Sequence, residues 1–159
     1  MFDPATNQDS ETALMQPGQR LARGVCRFIV EAGGAPITEY TPTRGLRTDV
    51  TAVMADGEIW CIECKSSAAD FLSDGKWQGY LEFCDRFFFA VDEAFPLDLL
   101  PEDQGLLMAD DFSAEIARPA ALEKLPAARR KAQTLRLARA AMMRLRALAD
   151  PGVSGMAQR

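Results

Sequence analysis

Asp49, Glu63 and Lys65 are the residues of this chain whose types and spacing can do chemistry. They sit within one short stretch, RTDVTAVMADGEIWCIECKSS, Arg47 to Ser67, and the chain contains no histidine at all. A histidine base and imidazole metal ligation are therefore excluded. Two carboxylates brought face to face repel and raise each other's pKa unless a cation sits between them. A hard divalent ion such as Mg²⁺ (or Mn²⁺) is the natural one, because it takes oxygen ligands and keeps several waters. A lysine beside it can hold or help deprotonate a bound water and balance charge that develops on a phosphate. Acid, acid, divalent ion and lysine are the parts of a phosphodiester-hydrolysis site. The ordinary alternative is an exposed salt-bridge cluster, since Glu-x-Lys on a strand is common.

These side chains can meet only if the stretch is a hairpin. Thr48 to Met54 and Glu58 to Lys65 read as two strands around a turn. Side chains alternate along a strand, so Cys61, Glu63 and Lys65 share one face while Trp60, Ile62 and Cys64 share the other. The same alternation parts Cys61 from Cys64 and speaks against Cys61-x-x-Cys64 as half of a zinc site. A two-residue turn Asp56-Gly57 would set Asp49 opposite Cys64. A three-residue turn Ala55-Asp56-Gly57, with Gly57 left-handed, sets it opposite Glu63. The second register puts Val50, Ala52 and Met54 with Trp60, Ile62 and Cys64, and hydrophobic sorting of this kind specifies register.

The remaining elements must hold that hairpin in place. Leu21, Val25, Phe28, Ile29 and Ala32 follow a helical period from Pro17 to the stop at Gly33-Gly34. Pro36 to Thr41 reads as a strand. Ser73 can cap a helix carrying Trp77, Tyr80, Leu81 and Cys84. RFFFAV, Arg86 to Val91, is an apolar run suited to a central strand covered on both faces. Gly105 to Ala109 and Ala114 to Ala117 read as short strands, and a long helix follows from 126 to 149. The order predicts an α/β fold, with a mixed central sheet flanked by helices in a single domain from 16 to 150. Flexible tails are expected over 1–15 and 151–159.

At 159 residues, 48% hydrophobic and 26% charged, the chain has the balance of an ordinary globular protein. Neither a signal peptide nor a run of about 18 apolar residues is present, so a cytoplasmic location and no membrane partner are expected. The four cysteines are then expected to be reduced. The net charge of −5 argues against nucleic acid as a single number, but its distribution does not. From Arg129 to Arg146 the chain carries seven of its 18 basic residues, Arg136 and Arg139 among them, and no acid. That segment is either a solvated helix face or a DNA-binding one. Nearer the hairpin, Arg44 and Arg47 are candidate phosphate clamps, and Lys76 and Tyr80, four apart, could present a phosphate contact and a hydroxyl beside the site.

Asp-x(13)-Glu-x-Lys on a hairpin after an initial helix resembles the PD-(D/E)XK nuclease superfamily, with Thr48 where the motif name has proline. The segments LARGVCRF, RGLRTDVTA, IECKSSAADFLSDGKWQGY, FCDRFFFAVDEAFP and AARRKAQTLRLARAA are similar to the MmcB-type bacterial DNA repair proteins over about Pro17 to Pro151. The resemblance implies a restriction-endonuclease-like fold acting on DNA, with other DNA repair proteins as partners. It makes Asp49, Glu63 and the backbone carbonyl of Cys64 metal ligands and Lys65 the catalytic lysine. It also implies a rival, a catalytically silent DNA-binding or adaptor protein on the same fold. Many relatives use an acid on the first helix, where this chain offers only Glu31, close to the helix end.

Overall fold

The computed structural model describes residues 14–155. The expected tail over 1–15 lies almost wholly outside the described residues, as does the end of the one expected over 151–159, where Pro151–Gly155 forms a 3₁₀ turn. Contacts divide the chain into two compact units, residues 1–124 and 125–159.

The first unit is built on one sheet of six strands: β1 (Ala35–Thr43), β2 (Leu46–Val53), β3 (Ile59–Cys64), β4 (Arg86–Val91), β5 (Gly105–Ala109) and β6 (Ala114–Arg118). They lie side by side in chain order. The β1–β2, β2–β3 and β5–β6 pairs are antiparallel, and β3–β4 and β4–β5 are parallel. The sheet is thus mixed, as expected. The second unit holds α3 (Ala127–Ala149), the basic helix.

One face of the sheet is covered by α1 (Pro17–Glu31). Its Leu21, Val25 and Ile29 pack with Val50, Ala52, Ile62, Cys64, Phe88, Ala90 and Leu107 in a single buried cluster. Val25 and Ile29 are fully buried, and each contributes roughly 1.5–3 kcal/mol by leaving water. The helix can lie this close because of Gly24: a Cβ there would collide with the Asp110 carbonyl oxygen.

The opposite face is closed by aromatic rings from the segment between β3 and β4. Phe71 and Trp77 meet Phe89 at 5.6 and 5.4 Å, and Trp77 and Tyr80 stack on Phe87. That segment differs from the single helix capped by Ser73. It is a short helix α2 (Ala68–Ser73), a break at Asp74 to Lys76, and a 3₁₀ helix over Trp77–Phe83. Ser67 is the cap, its Oγ accepting the Asp70 N–H at 3.1 Å. Asp74 ends α2 because its Oδ1 takes the Lys76 N–H at 3.0 Å, a local bond that competes with helix continuation. The tighter 3₁₀ winding also leaves Leu81 38% exposed rather than in the core.

Asp85 fixes the entry to β3. Its Oδ2 accepts the Ile59 N–H at 2.7 Å, and its own N–H donates to the Ile59 carbonyl at 2.7 Å.

Candidate active site

Val50 pairs with Ile62, Thr51 with Cys61, Ala52 with Trp60 and Val53 with Ile59. Carried on by one residue, this register sets Asp49 opposite Glu63. The turn is the three-residue one: Met54 N–H donates to the Glu58 carbonyl at 2.8 Å, Gly57 N–H donates to the Met54 carbonyl at 2.9 Å, and Gly57 has φ +88°. That left-handed backbone suits glycine.

Asp49 Oδ2 accepts the Cys64 N–H at 2.7 Å. Along an extended strand the N–H and C=O of one residue point to the same side. Lys65 N–H goes to the Ala90 carbonyl of β4 at 2.9 Å, so the backbone groups of Cys64 face the β2 side, where Asp49 lies. The Cys64 carbonyl therefore shares the edge with the Asp49 carboxylate. Its thiol is in the α1-side core, while Cys61 Sγ lies 3.8 Å from Thr51 Oγ1. The two thiols occupy different faces, in keeping with the argument against zinc.

Glu63 and Lys65 are buried, at 4% and 3% exposure. Lys65 Nζ donates to Glu63 Oε1 at 3.2 Å and to Asp74 Oδ2 at 2.5 Å. Glu63 Oε2 is buried and has no hydrogen-bond partner. Burial, with the charge of Asp49, pushes the Glu63 carboxyl up to about 8. Burial likewise raises Asp49, against the opposing pull of the Cys64 N–H and of Lys65. For Lys65 burial favours the neutral amine, but the bonds to Asp74 and Glu63 outweigh it and raise its pKa. Lys65 is therefore a cation poised to donate, not a free base.

Asp49, Glu63, Lys65 and Asp74 line one open cavity of about 610 Å³. The start of α1, at Gln16 to Gly18, forms another part of its wall. Gly45, Arg47 and Lys76 also contribute. Asp70, further along, clips the loop after β3 by accepting the Ser66 N–H at 3.1 Å.

The structure brings Asp49, Glu63, Cys64 and Lys65 together, with Arg47 and Lys76 exposed on the cavity wall. Arg47 approaches Glu39 at 3.9 Å. Tyr80 lines the same cavity, with its ring largely buried and its O–H donating to the Arg47 carbonyl at 2.9 Å. Arg44 is exposed in the β1–β2 turn and is not on the cavity wall; Arg136 and Arg139 are exposed on α3 in the second unit. Glu31 is exposed at the last position of α1, about 20 Å along the helix axis from the end that meets the cavity. The residue that the motif did not single out is Asp74. Its signal was present in the spacing KSSAADFLSD, but a loop carboxylate nine residues after a lysine marks no contact until the chain turns back.

The donor set suits a hard cation. An orphaned, buried carboxylate oxygen on Glu63 has its acceptor capacity unspent, and Asp49 keeps lone pairs beyond the one given to Cys64. The described residues contain no group of three His, Cys, Asp or Glu side chains able to hold an ion, so a cation here would have two carboxylates and a backbone carbonyl as its protein ligands. Such a site leaves much of the coordination sphere to water and substrate, the manner of Mg²⁺.

The sequence model of the MmcB-like family, described as DNA repair protein MmcB-like, matches residues 4–152. The chain belongs to this family. The SPO1766 protein of unknown function from Silicibacter pomeroyi is similar at 55% identity and a TM-score of 0.84, over 87% of this chain and 95% of that one. A repair endonuclease from Pyrococcus abyssi aligns at 15% identity and a TM-score of 0.38, over 70% of this chain and 49% of that one, too loosely to compare sites. No curated protein matches in sequence. Among the described residues no helix is long and apolar enough to cross a membrane.

Proposed function

We propose that this DNA repair protein is a divalent-ion-dependent phosphodiester hydrolase acting on DNA, with its site at Asp49, Glu63 and Lys65. The observation that carries the reading is Glu63 Oε2, a buried carboxylate oxygen without a donor beside a second carboxylate and a buried ammonium group. Burial of this kind is costly unless something of opposite charge meets it. Asp49, Glu63 and the Cys64 carbonyl would hold Mg²⁺ or Mn²⁺. The ion would supply an acidified water and charge neutralisation at the phosphate.

Lys65 donates rather than accepts in this arrangement. Its ammonium group would stabilise the negative charge that grows on the phosphoryl oxygens as the water oxygen bonds to phosphorus and the sugar–oxygen bond to phosphorus breaks. Arg47 and Lys76, exposed on the wall, would take flanking phosphates and so set the strand in register without reading bases. Asp49 in turn stays oriented by the Cys64 N–H.

The test is cleavage of a panel of single-stranded, duplex, gapped and branched DNAs with Mg²⁺ or Mn²⁺, with Lys65→Ala as control. Metal-dependent cleavage that the variant loses supports the reading; wild-type protein inert on the whole panel refutes it. One observation favours a second reading, a DNA-binding or adaptor protein that does not cut: the side-chain donor set is only two carboxylates. That reading expects DNA binding without hydrolysis on the same panel.

A further inference from the structure

We propose that Asp74 is the positioning residue for Lys65, the carboxylate that keeps the lysine in place once Glu63 is engaged by a cation. The proposal rests on the metal-dependent reading of the site. Lys65 has two acidic partners, and the shorter contact is to Asp74, 2.5 Å against 3.2 Å for Glu63. Glu63 cannot serve fully both as ligand and as counter-charge, because a divalent ion withdraws the electron density that the ammonium group would share. Asp74 is not a ligand in this reading, so it keeps its charge for Lys65, while its carboxyl also meets that of Glu63.

Asp74 is also built to stay where it is. Its Oδ1 takes the Lys76 N–H at 3.0 Å while its own N–H donates to the Phe71 carbonyl at 3.2 Å, so the carboxylate is tethered through both backbone and side chain. Its side chain is 22% exposed, at the edge of the cavity, whereas that of Lys65 is 4% exposed. A buried ammonium group without a partner would retreat or drag a ligand carboxylate with it. Charge balance points the same way. Asp49, Glu63 and Asp74 are three carboxylates against one ammonium, so that one divalent ion brings the four ionised groups to neutrality. Arg47, Lys76 and Asp70, further out on the same wall, add one net positive charge on the side open to a phosphate.

The break in the chain at Asp74 to Lys76 thereby acquires a purpose. Had the helix run on uninterrupted, the carboxylate would not be held by the amide two residues ahead. The geometry that ends α2 is the geometry that aims Asp74 at Lys65.

The experiment measures Mn²⁺ binding by electron paramagnetic resonance, and kcat and KM for DNA cleavage, on the full chain. It compares wild type, Asp49→Asn, Asp74→Asn and Asp74→Glu, with circular dichroism to verify folding. Partners that orient a metal site from outside its ligands typically change affinity or activity by about 10–100-fold when removed. Asp74→Asn should weaken Mn²⁺ binding and lower kcat by factors in that range, with KM for DNA little changed, and Asp74→Glu should recover part of both. A wild type that binds no Mn²⁺ overturns the metal reading and this proposal with it. A wild type that binds and cleaves, beside an Asp74→Asn that does both equally well, overturns this proposal alone. Complete loss of Mn²⁺ by Asp74→Asn, matching Asp49→Asn and without rescue by Asp74→Glu, would make Asp74 a ligand and also overturn it.

Discussion

Replacing Glu63 by glutamine should stabilise the metal-free protein at neutral and alkaline pH. The Glu63 carboxyl is held at about 8 in the folded chain against an ordinary 4.5. Its folded pKa is raised, so the stability it allows is fully present below pH 4.5, where both states are protonated. That stability is lost as pH climbs towards 8, because the unfolded chain releases the proton first. At 1.36 kcal/mol per unit, the loss is about 3 kcal/mol at pH 7 and about 4 kcal/mol at pH 8, where the folded group is half ionised. The side chain is only 6% exposed, so solvent screening removes little of this. Glutamine does not titrate and escapes the loss. Its amide oxygen can still accept from Lys65, but its NH₂ group is an added donor that costs roughly 1–3 kcal/mol if left buried without a partner. The net expectation for Glu63→Gln is a gain of about 1–3 kcal/mol at pH 8 that shrinks and reverses towards pH 5, read by urea unfolding in EDTA at four pH values. Saturating Mg²⁺ should close the gap by stabilising the wild type alone, by about 2.7 kcal/mol at a hundred times its Kd. Wild-type stability flat from pH 5 to 8, or a glutamine variant less stable by the same amount throughout, would refute the reasoning.

Tyr80→Phe should cost about 1 kcal/mol, the worth of the hydrogen bond to the Arg47 carbonyl, and leave DNA affinity unchanged in a fluorescence titration. Gly57→Ala should cost about 1–2 kcal/mol, since a Cβ finds open space there but the φ of +88° is strained, and urea midpoints will show it. If the basic helix carries DNA, replacing Arg136 and Arg139 together by Gln should flatten the slope of log affinity against log salt by about 0.9 for each phosphate no longer neutralised. An unchanged slope removes these two residues from the interface.

The hairpin was legible because its two signals agree. Alternation sorts Val50, Ala52, Trp60 and Ile62 to one side, and only the turn ending at Gly57 lets both strands sort together. β4 was legible for a similar reason, since RFFFAV supplies Phe88 and Ala90 to one covered face and Phe87 and Phe89 to the other. The segment after β3 was misread because Trp77, Tyr80 and Cys84 keep helical spacing, whereas the local bonds of Ser67, Asp70 and Asp74 break the chain into two short pieces. Tyr80 shows the same limit at a single residue. A hydroxyl four positions from Lys76 points beside the site, and Tyr80 does lie on the cavity wall, but only the fold reveals that its ring stacks on Phe87 with the O–H given to the Arg47 carbonyl.

By itself the sequence determined the identity and the facing of Asp49, Glu63 and Lys65, because strand alternation and turn length are local and each residue constrains its neighbour. The tertiary structure decided what those groups experience. The burial that raises Glu63, the orphaned Oε2 and the hold of Asp74 on Lys65 all depend on elements distant in the chain closing over the hairpin. Charge is written in the sequence, but its cost is set by whatever replaces water around it.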